Sequence, residues 1–138
     1  MSTANARQIS KRSEEAAGAS EGHVAQVRQR GREAHIIGAC DCVIDLAAAF
    51  YNLPSRELRR TGRGTDEIAR VRQIAMYVAH VVLGLTMTDI GRGFGRDRTT
   101  VMHACHLVED LRDDRDFDQI IARTENIVAA AFRDRLPL

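Results

Sequence analysis

No tryptophan occurs in this sequence, and aromatic residues fill only 4% of its 138 positions. A core with so few rings must be aliphatic, and 44% hydrophobic residues supply the Ala, Val, Ile and Leu for it. Proline is nearly missing, with two residues in all, so long stretches run without a helix breaker. The three cysteines, an odd number without framework spacing, argue against a disulfide scaffold. No apolar run approaches the ~20 residues of a membrane span, so no membrane partner is expected. The N-terminus lacks the apolar region of a secretory signal, which makes a reducing cytoplasm the simplest compartment.

Chemistry is sparse as well. No Walker A sequence is present, and Gly91-x-Gly93-x-Gly95 has no strand before it, so it is not a dinucleotide fingerprint. His103 and His106 lie three apart, but Cys105 points elsewhere on a helix, and Cys40 and Cys42 project to different sides. No tetrahedral metal set can be assembled from these. No nucleophile, base and orienting residue come together either. The expectation is no enzyme, no catalytic residue, no metal and no cofactor.

Lysine is absent except for Lys11; the basic charge is otherwise arginine, the side chain suited to bidentate contact with phosphate or guanine. Net charge is only +1, which by itself does not point to a nucleic acid. Segregation matters more, because acids gather late, at Glu109, Asp110, Asp113, Asp114, Asp116 and Asp118. That run is expected to be a solvated connector that repels DNA.

Residues 1–33 are polar, of mixed charge, with scattered glycines and few large apolar side chains, and are read as a flexible arm or linker. From 34 to 138 the pattern is helical, and the expected fold is all-α. Ile36, Ile37, Cys40, Val43, Ile44 and Ala47 set a first helix, ended by Asn52 and Pro54. Pro54 opens a short helix through Leu58 and Arg59. A basic, glycine-rich loop follows, Arg59-Arg60-Thr61-Gly62-Arg63-Gly64-Thr65. Thr65 caps a longer helix that carries Ile68, Val71, Ile74, Ala75, Val78 and Val82 and stops at Gly84. A last helix bears Phe117, Ile120, Ile121, Ile127, Val128 and Ala131.

Between these lies the stretch Thr86 to His106, which reads as a helix, a glycine turn and a second helix. Thr86 caps the first, Gly95 supplies the turn, and Asp97 suits the start of the second. Val101, Ala104, Cys105 and Val108 form an apolar stripe on that second helix. Its other face holds Arg98, Thr99, Thr100, Met102, His103 and His106, which are donors, acceptors and methyls with no branched aliphatic among them. Such a helix fits the recognition helix of a helix-turn-helix.

Arg72-Gln73-Ile74-Ala75-Met76-Tyr77, then Asp89 through Asp97, then Thr99-Thr100-Val101-Met102-His103-Ala104-Cys105, closely resemble the C-terminal DNA-binding domain of the DnaA replication initiator family. The resemblance runs from about Ile36 to the end of the chain. It implies sequence-specific binding of double-stranded DNA at boxes like the initiator's. By resemblance Asp97, Thr99, Thr100 and His103 fall on positions that touch the operator. Arg98 stands where the family usually has His; arginine suits guanine O6 and N7, or a phosphate. Arg72 and Gln73 match backbone contacts, and Met87 and Thr88 match helix-start positions where amides meet phosphate. Thr88 replaces a proline often found there, and the turn at Phe94-Gly95-Arg96-Asp97 looks one residue shorter than usual. The loop matches one that sends an arginine into the minor groove; Arg63, between two glycines, is the candidate, although counting back from Arg72 falls on Gly64.

The resemblance covers no nucleotide-binding module. The expectation is therefore a stand-alone, nucleoid-associated relative that regulates replication initiation or transcription and competes with the full-length initiator. The alternative from another class is a protein-interaction adaptor that keeps the helical scaffold without specific DNA binding.

Overall fold

The computed structural model describes residues 3–60, 62 and 64–134, leaving out the side chains before Gly18 and that of Ala19. Among the described residues the elements are α1 (Thr3–Tyr51), α2 (Ser55–Arg59), α3 (Asp66–Leu83), α4 (Met87–Phe94), α5 (Arg98–Leu111) and α6 (Arg115–Ala131). The chain divides into two units, Met1–Ala34 and His35–Leu138.

In the first unit the backbone is helical from Thr3, where the composition suggested only a loose polar segment. Helix needs nothing beyond its own hydrogen bonds, and no proline interrupts this stretch. The described side chains from Ser20 to Arg32 are exposed, Val24 and Val27 among them. Gln29 donates to Glu33 one turn on, a contact that supports a solvated helix.

In the second unit, α1 contributes Ile36, Ala39, Cys40, Val43, Ile44 and Ala47 to the core, at three- and four-residue spacing. Those side chains also correct an expectation. Ser20–Tyr51 does hold an 18-residue window of mean hydropathy 1.5, apolar enough by length and composition to cross a bilayer. Part of that apolarity, 39% of the window, is buried within the protein, and Asp41 and Asp45 on the same helix pair with Arg59. Asn52, at φ 56°, ends α1, and the amide of Leu53 returns to the Ala48 carbonyl. Asparagine tolerates this left-handed conformation better than most residues.

α3 is the central element and packs against α2, α4, α5 and α6. Thr65 starts it by accepting from the amide of Ile68, and Gly84, at φ 69°, stops it. His80 Nδ1 lies 2.8 Å from the Leu85 carbonyl and ties down the link into α4. Thr86 then accepts from the Asp89 amide to begin α4, and Gly95, at φ 65°, closes it. The amides of Gly95 and Arg96 both reach the Gly91 carbonyl. This makes the sharp turn into α5.

Two glycines of α4 are there for lack of a side chain. A Cβ at Gly91 would stand 2.6 Å from the Arg96 carbonyl oxygen, so the turn could not close. A Cβ at Gly93 would overlap Sγ and Cβ of the fully buried Cys40. Gly93→Ala is expected to cost ~1–3 kcal/mol by overpacking. A Cys40→Gly change in the same chain should recover part of it, read as the thermal midpoint. Burial, with smaller contributions from Asp41 and Asp89, pushes the Cys40 thiol up to about 12, so it serves as a small apolar residue.

The acidic stretch after α5 is more than a solvated connector. Asp114 accepts from the Phe117 amide and caps α6. Arg112 donates to Asp118, to Glu125 at 2.6 Å and to Tyr77 Oη at 3.1 Å. Tyr77 in turn donates to Glu109 at 2.6 Å. These contacts bind α3, α5 and α6 together. The carboxylates hold the Arg112 guanidinium charged despite its burial.

Candidate nucleic-acid interface

α5 divides cleanly. Val101, Ala104, Cys105 and Val108 are buried against the core, while Arg98, Thr99, Thr100, His103 and His106 are exposed and Met102 is half-buried. The polar face expected to read bases is thus an outer face of the domain. Because α4 packs on α5, the start of this helix is held firmly.

A helix prefers acids near its N-terminus and bases near its C-terminus. Within its own span α5 has no acid in its first turn and no base in its last: Arg98 opens it and Glu109 and Asp110 stand near its end, while the flanking N-cap Asp97 and C-cap Arg112 carry the favourable signs. Arg98 at the positive end costs about 0.3–1 kcal/mol at an exposed site. Asp97 is the N-cap residue but makes no side-chain cap bond, which forgoes about 1 kcal/mol more. Local rules broken together at one helix end are characteristic of functional surfaces. What results is a concentration of positive potential from the helix amides and Arg98, beside a carboxylate left free to accept. The acidic end, Glu109 and Asp110, lies about 17 Å from Arg98 at 1.5 Å per residue, about two Debye lengths at physiological salt.

Beside this face lies a groove of about 530 Å³, lined by Gly62 of the loop, Ala69, Arg72, Gln73 and Met76 of α3, Arg96 of the turn, and Thr100, His103, Ala104 and Leu107 of α5. The loop, α3, the turn and α5 therefore meet around one hollow that holds Arg72 and Arg96. The expected residues Arg72, Gln73, Thr100 and His103 are brought together in it. Arg98 and Thr99 stand exposed one helical step before Thr100. Thr88 is exposed and Met87 half-buried at the start of α4, where the Thr86 oxygens take the Asp89 and Ile90 amides. Arg63 lies outside the described residues.

Arg72, matched by resemblance to a contact with the DNA backbone, has a buried side chain, with the residue 6% exposed. Nε donates to the Leu58 carbonyl at 2.9 Å, Nη2 to that of Glu57 at 3.1 Å, and Nη1 to that of Gly62 at 3.3 Å. The last carbonyls of a helix have no partner within it, and α2 has five residues. Arg72 supplies that missing cap and fastens the loop beyond. A phosphate would have to compete with three carbonyls for this guanidinium. Burial lowers its pKa first and the charge of Arg96 lowers it further.

Arg96 is the residue the sequence reading missed. Its Nη2 donates to the Arg60 carbonyl at 2.7 Å and to that of Gly62 at 3.4 Å, and its Nη1 to the Gly95 carbonyl at 3.4 Å. The one sequence signal was an arginine set directly after the turn glycine.

Residues 40–108 match the family described as bacterial dnaA protein helix-turn-helix. The chromosomal replication initiator protein DnaA of Mesorhizobium japonicum is 43% identical over 67 residues, 48% of this chain and 14% of that protein. Its counterpart in Neisseria meningitidis is 33% identical over 100 residues, 68% of this chain and 19% of that one. The chain thus spans less than a fifth of the length of either relative. Among solved structures, one titled crystal structure of DNA replication initiation factor superposes with a TM-score of 0.66 at 24% identity. It covers 76% of this chain and 32% of its own, a likeness of fold.

Proposed function

The chain belongs to the helix-turn-helix family of the bacterial DnaA protein, and from that membership we propose that it binds double-stranded DNA sequence-specifically, at short asymmetric sites like the initiator's boxes. The observation that carries this reading is the outer face of α5, exposed at Arg98, Thr99, Thr100, His103 and His106, with Arg98 in its first turn beside the N-cap Asp97. The helix lies in the major groove and presents Asp97, Arg98 and Thr99 to base edges. Arg98 donates to guanine O6 and N7, the Asp97 carboxylate accepts from cytosine N4, and the Thr99 methyl packs on a thymine methyl. Thr100, His103 and Gln73, around the groove, meet phosphates, as do the free amides at the start of α4 at Met87 and Thr88. Arg63, beside the clasped Gly62, probes the adjacent minor groove.

A protein with this preference occupies the initiator's own sites, so the two exclude one another wherever boxes are shared. It would then act on replication initiation, or on transcription near boxes, as a nucleoid-associated protein of the cytoplasm.

Fluorescence anisotropy with a labelled initiator-box duplex and a scrambled duplex of equal length, at two salt concentrations, tests the reading. Preference for the box by at least roughly a hundredfold is expected, persisting at the higher salt while both affinities fall. Equal affinity for the two duplexes would sink it and leave the interaction-adaptor reading in its place.

A further inference from the structure

Resting on the DNA-binding reading, we propose that Arg96 is a positioning residue: with Arg72 it forms a clasp on the Gly62 carbonyl that sets the glycine loop in register with the reading helix. The two arginines come from different elements, one from α3 and one from the turn between α4 and α5, and their Nη atoms meet at the same oxygen, at 3.3 and 3.4 Å. Arg96 reaches further along the loop, to the Arg60 carbonyl at 2.7 Å, while its other nitrogen stays on the Gly95 carbonyl of its own turn. One planar guanidinium thereby joins the turn that aims α5 to the loop that would enter the neighbouring groove. A fork of fixed geometry can hold carbonyls on two sides at once, which an ammonium cannot.

Among the described residues, the bonds from Arg72 and Arg96 to Arg60 and Gly62 all end on main-chain oxygens. Gly62 has φ +90°, a conformation in which an L side chain is strained, and it is the residue whose carbonyl receives both arginines. Two cations converge there, and no carboxylate is paired with either among the described residues. A bridge selected for stability alone would be expected to include one. The convergence instead adds positive potential to the groove shared with Thr100 and His103. Burial lowers the Arg72 pKa most, and the like charge of Arg96 lowers it further.

The test uses the full chain with Arg96→Lys and Arg96→Ala, each measured without and with DNA. In the free protein, hydrogen exchange at the loop amides from 60 to 64 is expected to quicken roughly tenfold in both variants, the size of one lost hydrogen bond. The thermal midpoint should fall with it, by roughly 5–10 °C for a domain of this size. With DNA, wild type is compared on the box duplex and on one whose flanking A·T pairs are changed to G·C. Both variants should lose the flank discrimination and keep the discrimination at base pairs facing Thr99. Lysine should retain the salt slope yet not restore flank discrimination.

Unchanged loop exchange would overturn the clasp whatever the DNA result. A loosened loop with flank discrimination intact would overturn its role in register. If wild type itself fails to distinguish box from scrambled duplex, the DNA-binding reading has failed, and loop exchange still decides whether the clasp exists.

Discussion

Arg72→Met will lower the thermal midpoint of the free protein before any DNA is added. The side chain is buried and three backbone carbonyls depend on it, those of Glu57, Leu58 and Gly62. Methionine fills much of the volume but donates nothing. Hydrogen bonds from a charged donor are worth about 1.5–3 kcal/mol each, and a carbonyl left dry costs about 1–3. Gly62 is exposed and water will satisfy its carbonyl, so the sum falls well short of three full losses. A net cost of ~2–4 kcal/mol remains, which for a domain of about a hundred residues is a drop of roughly 10–20 °C.

The opposite expectation, an arginine that meets phosphate and does little else, makes a different forecast. The free protein would melt as wild type does, and the salt dependence of DNA binding would flatten by about one unit of slope. An unchanged midpoint with a flattened slope would therefore return Arg72 to the phosphate role and remove it from the clasp. Arg72→Lys separates the two further. It keeps the charge, so a phosphate role would survive, but it cannot reach three carbonyls arrayed around a plane.

The difference between these two roles shows where the sequence was readable. The caps were legible because capping is local: Thr65, Gly84, Thr86 and Gly95 each act on amides or carbonyls within a few residues, and each was placed by residue type and spacing alone. The polar face of α5 was legible for the same reason, since periodicity on one helix assigns it. Arg72 was not, because its acceptors lie 10, 14 and 15 residues earlier, in a loop and a helix too short to cap themselves. One signal was available. Arg72 stands four residues after Ile68, three before Ala75 and seven before Ala79, which is the spacing of the buried side of α3. An arginine on that stripe has to be solvated by the protein itself.

Arg96 and Gly93 were hidden by distance in a stricter sense. The partners of Arg96 are 34 and 36 residues away. No pattern on α4 alone says that α1 approaches closely enough to forbid a Cβ at Gly93. The acidic run misled by composition, since clustered carboxylates suggest a solvated tether, yet Glu109 and Asp118 are engaged by Tyr77 and Arg112.

Arg98→Ala and Thr99→Ala should weaken binding to the box duplex by ~1–3 kcal/mol each, about 5- to 150-fold, with relaxed preference at the base pair each faces. Their effect on the free protein is what makes the pair informative. Both side chains are exposed, and neither has a hydrogen bond or ion pair within the described fold that its removal would break. Thr99→Ala should leave the melting midpoint nearly unchanged. Arg98→Ala should raise it, because a positive charge is being removed from the positive end of α5, where it costs about 0.3–1 kcal/mol. Stability gained and DNA affinity lost from one substitution is the mark of a residue kept for what it touches outside the protein. If Arg98→Ala melts earlier than wild type, Arg98 has a structural purpose and the argument drawn from its place at the helix start fails. If both variants keep wild-type preference at every base pair, the reading face lies elsewhere on the domain.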